Sequence, residues 1–166
     1  MTSLRRLVVF QAFLLWQGGF LFYTAVVVPI GTDVLGSSLV QGLITRRVTD
    51  RLNLFGAAWA AAFAWDLLAC RDPARRRRLA RWLGWAGCVA LLGVLAWLHG
   101  ELDSLIDLEA EKLRDRPTFK AIHIVYLWVS TIHWALALGL AWLTLRAWRA
   151  EDGVPSSRVP SSKSEP

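Results

Sequence analysis

A chain of 166 residues with 55% hydrophobic content and a positive mean hydropathy carries more apolar surface than one water-facing core needs, so part of it must face lipid rather than water. The formal charge of +6 invites a nucleic-acid partner, but Arg71, Arg75 to Arg78 and Arg81 crowd one short segment between two apolar runs. The positive-inside rule gives that pattern to a cytoplasmic loop, and no nucleic acid is expected.

A bilayer-spanning helix needs roughly 20 mostly apolar residues. Four stretches meet that requirement, running approximately from Leu7 to Val28, Leu52 to Ala69, Trp82 to Leu98 and Ile122 to Leu145. The expected fold is therefore all-α: a polytopic membrane protein, built as a four-helix transmembrane bundle over residues 1–150. A Ser/Pro-rich tail over residues 151–166 is expected to be disordered and cytoplasmic. The first run follows Arg5 and Arg6, as a secretory signal would. It is too long for a signal's apolar region and shows no small-x-small cleavage pattern, so it reads as a retained helix.

Between the first two spans, Pro29 to Arg51 is too polar to cross a membrane. Val40, Leu43, Ile44 and Val48 recur at helical spacing opposite Arg46 and Asp50, which predicts a short amphipathic helix at the outer interface. From Gly100 to Pro117, Leu102, Leu105, Ile106 and Leu113 oppose an acidic face, predicting a surface cap or an extension of the third helix. With both termini and the arginine-rich loop in the cytoplasm, twelve basic residues lie inside and seven outside. That asymmetry predicts cytoplasmic termini in the cell membrane. Cys70 and Cys88 fall at different depths and suggest neither a disulfide nor a metal pair.

Lipid tails are as apolar as leucine, so such helices associate through close packing and buried hydrogen bonds. Gly56, Ala60 and Ala64 share a face of the second span. Ala135 with Gly139, and Ala137 with Ala141, do so in the fourth. Among the ten tryptophans, Trp82, Trp85, Trp97, Trp142 and Trp148 lie near helix ends, where indoles anchor at headgroup level, while Trp16, Trp59, Trp128 and Trp134 read as packing residues.

The most informative polar pattern is in the fourth span. His123, Tyr126, Ser130 and His133 fall within about 80 degrees of one another on a helix of 3.6 residues per turn. Polar groups at bilayer depth are costly without partners, so this stripe should turn inward, either to fix helix register or to line a ligand pocket or proton path. Gln17, beside Gly18 and Gly19 and on the face of Thr24, is placed to meet it. His99 and His123 flank the same outer loop, with Glu101 and Asp103 close by, so His99, Glu101 and His123 are the best candidates for a metal, against a reading as ordinary interfacial histidines. The same two histidines are the only pair that could ligate haem, and no cofactor is expected. Asp66 reads as a snorkelling carboxylate near Arg71. No Walker loop, dinucleotide fingerprint, H-E-x-x-H pattern or Ser/His/Asp grouping points to an enzyme.

Three stretches together resemble the small four-helix membrane proteins grouped with transmembrane protein 205 and the bacterial domain of unknown function of the 4149 type. They are Trp16-Gln17-Gly18-Gly19-Phe20-Leu21-Phe22-Tyr23 continuing from Ala25 to Pro29, the segment from Gly36 to Phe55, and Leu113-Arg114 followed by Phe119 and His123. The resemblance implies a four-helix topology and a membrane role without assigned catalytic residues. It departs after His123, where this sequence has Tyr126 and Ser130 in place of the serine and asparagine the pattern often carries.

The leading expectation is a non-enzymatic membrane protein that binds a small ligand, a lipid or a membrane-protein partner through the face of Gln17, His123, Ser130 and His133. The alternatives are an oligomeric transporter or channel component, with a homo-oligomer then required, and an outer-surface metal or haem protein.

Overall fold

The computed structural model describes residues 2–107 and 112–153. Its helices form an all-α four-helix bundle in which all four helical runs are long and apolar enough to cross a membrane. The first run begins as α1 (Thr2–Phe22) and passes through a π turn at Tyr23–Val27 into α2 (Val28–Leu35). Pro29 explains the π turn: it has no N–H to bond the carbonyl of Ala25, and its ring crowds that carbonyl. The helix widens just before it, and the Val28 N–H bonds the Tyr23 carbonyl five residues back. Gly36 then ends α2 in the left-handed region, with φ 61°, a conformation glycine adopts without steric cost.

Ser37 caps the next helix by accepting the Val40 N–H, and α3 runs unbroken from Ser38 to Ala69. The amphipathic stretch around Val40 to Val48 is thus helical, as its spacing predicts, but continuous with the second span. Asp72 organises the turn that follows: its carboxylate accepts from the Ala74 N–H and from Arg77. Burial alone would raise the Asp72 pKa, but these donors outweigh it and hold the carboxyl below its usual range.

Helix α4 covers Arg75–Ser104, and its 30 residues extend about 45 Å, well beyond a hydrocarbon core of about 30 Å. The Gly100–Pro117 segment extends this helix to Ser104. It then forms a two-residue antiparallel pair, β1 (Ile106–Asp107) with β2 (Lys112–Leu113). Helix α5 (Arg116–Asp152) starts at an Asp115 cap, with Pro117 in its first turn. It continues through Glu151 and Asp152, so the chain leaves helical structure later than the predicted tail boundary. The rest of that tail, residues 154–166, lies outside the described residues.

Backbones pack closely between α1 and α3, α3 and α4, and α4 and α5, an arc in chain order. Glycines permit two of these approaches. The Trp16 indole lies over Gly56, where a β-carbon would fall 2.9 Å from Nε1, and Leu140 and Leu136 of α5 press against Gly84 and Gly87 of α4. The Ala137 face of α5 is buried, whereas Ala135 and Gly139 are exposed.

The arc is closed at one end by charge. Asp66 is fully buried, not snorkelling: Arg5 lies 2.8 Å from its Oδ1, Trp148 donates to the same oxygen at 3.0 Å, and Arg81 bonds its Oδ2. Glu151 accepts from Arg5 and Arg6, and Arg6 also reaches Asp152. Arg5, Arg6 and Arg81 thereby balance Asp66, Glu151 and Asp152 across α1, α3, α4 and α5. Trp148 and Trp85 are also internal: Trp85 donates to the Ala60 carbonyl at 2.9 Å. Trp128, expected to pack inside, is 67% exposed and points outward, as do Trp97 and Trp142. Both cysteines are free.

Removing charge from Asp66 leaves Arg81 buried without its carboxylate and Arg5 with Glu151 alone, which costs about 3–5 kcal/mol. Asp66→Asn should therefore lower the midpoint of SDS-induced unfolding strongly, while Asp152→Ala, at an exposed carboxylate, should leave it nearly unchanged. The Asp115 cap accepts from the N–H and hydroxyl of Thr118, which hold its carboxyl below the ordinary range. Its stabilisation is complete above the unfolded carboxylate value of about 3.9 and is lost as pH falls through the lowered native value. Asp115→Asn should flatten that acid limb of the unfolding midpoint measured from pH 6 to 3.

Candidate ligand cavity

Away from the charged end the arc does not close, and a cavity of about 890 Å³ lies between the helices. The helical phases of α1 and α5 deliver the predicted polar residues to it. Gln17, His123, Tyr126, Ser130 and His133 all line this space, joined by Trp16, Phe20, Leu92, Leu95, Phe119, Leu127 and Trp134. The sequence-predicted stripe is one wall of a single chamber, with aromatic and aliphatic side chains making up most of the rest.

Gln17 forms the floor with His133. The Gln17 amide donates to the Trp134 carbonyl at 3.2 Å, tying the middle of α1 to the middle of α5. Because a carbonyl only accepts, the amide nitrogen must face Trp134, which leaves Oε1 as a buried acceptor without a protein partner. His133 is 3% exposed, and its Nε2 is also buried and unpartnered. Its ring tilts against Trp16 with centroids 4.8 Å apart, and Trp16 stacks on Trp59, also at 4.8 Å. Phe13 and Phe63 pack on Trp59 from below, so the floor is a rigid aromatic layer.

A second polar group, which sequence reasoning missed, sits on the opposite wall. The π turn turns Tyr23 inward, its hydroxyl donates to Thr45 at 3.0 Å, and it accepts from Gln41. Gly31 of α2 makes room for the Gln41 amide: a β-carbon there would fall 2.0 Å from Oε1. The available signal was Gln41 and Thr45 at i and i+4 on the amphipathic stretch, which places both on one face.

The open end, away from the Asp66 cluster, carries charges of its own. Arg46 pairs with Asp103 at 2.8 Å, and His99 Nε2 lies 3.1 Å from Asp50 and 3.8 Å from Asp103. Arg116 and His123 also border the opening, with His123 stacked on Phe119. The His99, Glu101 and His123 set proposed for a metal is not assembled. His99 has Asp50 and Asp103 as its carboxylate neighbours, Glu101 is exposed, and no metal-holding group of three or more His, Cys, Asp or Glu residues occurs among the described residues.

Gly31→Ala should displace the buried Gln41 amide from Tyr23, at a cost of about 1–3 kcal/mol, and its lowered unfolding midpoint should be matched by Gln41→Ala without adding to it in the double variant. No family model matches the chain, and neither a curated protein nor a solved structure does.

Proposed function

We propose that this is a non-enzymatic membrane protein that holds a small amphipathic molecule from the lipid phase inside its helix bundle, in the manner of a carrier or sensor. The observation that carries this reading is the cavity itself: one chamber gathers every residue of the polar stripe together with a mainly apolar lining, the composition typical of small-molecule sites. Packed helices that needed the stripe only for register would bond it across the interface and leave no such space. The unpartnered Gln17 Oε1 and His133 Nε2 add to the case, because buried polar atoms left unsatisfied in a protein alone are commonly satisfied by something bound.

The same reading puts both termini in the cytoplasm. The start of α1, the end of α5 and the α3–α4 turn meet at one end, where Arg5, Arg6, Arg71, Arg75 to Arg78, Arg81, Arg146 and Arg149 gather. That excess supports a cytoplasmic face by the positive-inside rule, which opens the cavity toward the outer leaflet. The four-helix topology also suits the transmembrane-protein-205-like resemblance.

Native mass spectrometry of gently solubilised protein tests the proposal. A discrete bound molecule should accompany the wild-type chain and be depleted in His133→Leu, with membrane insertion and abundance unchanged. A bare chain in both, or loss of abundance alone in the variant, would assign the stripe a structural role.

A further inference from the structure

The cavity's walls and floor differ in a way that selects among amphipathic molecules. The floor offers two adjacent unsatisfied groups, the Gln17 acceptor and His133 Nε2, held together because Gln17 bonds the carbonyl of the residue next to His133 and Trp16 bridges the two helices. Neither group carries a fixed charge. The cavity's charged residues, Arg46, Asp103 and Arg116, lie at the outer opening. An ionised head carried down to the floor would be desolvated with no counter-charge, which is prohibitive at bilayer depth. A hydroxyl fits, since it can donate to Gln17 Oε1 while accepting from His133 Nε2–H.

The side of the chamber is open as well. Helices α1 and α5 are joined by the charged cluster at one end and by Gln17 at mid-height, with little close backbone packing between them. Above Gln17, Thr24 on one helix and His123 and Leu127 on the other line the cavity yet remain exposed on the bundle surface. The Thr24 hydroxyl is already spent on the Phe20 and Leu21 carbonyls, so it presents no unmet donor to lipid. The seam is therefore a lateral slot between chamber and bilayer.

We infer that the cavity takes a neutral, hydroxyl-bearing lipid, with its hydroxyl on Gln17 and His133 and its hydrocarbon tail leaving sideways between α1 and α5. This rests on the proposal that the cavity binds a ligand at all, and the probes separate the two. Oleyl alcohol, oleic acid and 1-octadecene share one chain and differ at the head. Titrated against the full chain and read by native mass spectrometry, oleyl alcohol should bind one per chain, at least tenfold more tightly than 1-octadecene. Gln17→Leu and His133→Leu should each bring oleyl alcohol binding down to the level of 1-octadecene, whose continued binding in the same variant reports that the chamber still forms. Leu127→benzoylphenylalanine, irradiated with oleyl alcohol bound, should give a one-to-one adduct.

Equal binding of alcohol and hydrocarbon, unaffected by either variant, would overturn the hydroxyl site while leaving a ligand cavity in place. Preference for oleic acid lost in Arg116→Gln would overturn it too, by putting the head at the outer opening. Retained binding without an adduct at Leu127 would overturn the lateral slot. Binding of none of the three probes would overturn both this inference and the cavity's proposed role.

Discussion

A single carboxylate, Asp66, stands where four helices converge, and it gives the bundle its closed end. Carboxylates buried in an apolar setting are expensive unless charge and hydrogen bonds surround them, and this one receives two arginines and an indole N–H. Each donor comes from a different helix: Arg5 from α1, Arg81 from α4 and Trp148 from α5. With the hydrophobic effect unavailable between helices in lipid, this convergence supplies the orientation that apolar burial supplies in a soluble core. Glu151 extends it by accepting the Arg71 N–H as well as the two N-terminal arginines, so the α3–α4 turn is tied to the end of α5.

Tightness at one end permits emptiness at the other. Below Trp16 the core is filled by Trp59, Phe63, Leu140 and Ala147. Above it, Tyr23 of the π turn and Gln41 line the wall, and the same four helices enclose space instead of side chains. Arg81 sits over the Phe63 ring at 5.7 Å, so an aromatic column connects the charged cluster to the cavity floor through Phe63, Trp59 and Trp16. The column explains how a small protein with few helices can keep a chamber open: its floor is braced from below by large, inflexible rings.

The four spans and the polar stripe were legible in the sequence, because both follow from local periodicity. Hydropathy over roughly 20 residues marks a span whatever it packs against, and the 3.6-residue repeat places His123, Tyr126, Ser130 and His133 on one face before any neighbour is known. Gln17 was legible for the same reason. The partners of Asp66 were not. They lie 61 residues upstream at Arg5, 15 downstream at Arg81 and 82 downstream at Trp148, and no local rule relates those positions. Trp128 was misread because its depth in the span says nothing of its azimuth, and Trp148 because proximity to a helix end suits an anchor and a buried donor equally. Glu151 and Asp152 read as the start of a polar tail, since the arginines that hold them belong to the opposite terminus.

That last pairing bears on how the protein is made. Arg6 and Glu151 are 145 positions apart, so α1 has long left the ribosome before the carboxylates that hold Arg6 are made at the end of α5. At typical synthesis rates of about 5–20 residues per second the wait is roughly 7–30 s. During that time Arg5 has only Asp66 to meet and Arg6 has no carboxylate partner, which leaves Arg6 free to hold α1 in its orientation while α4 and α5 insert. Among the contacts of the charged cluster, those between α1 and α5 are then the last to form.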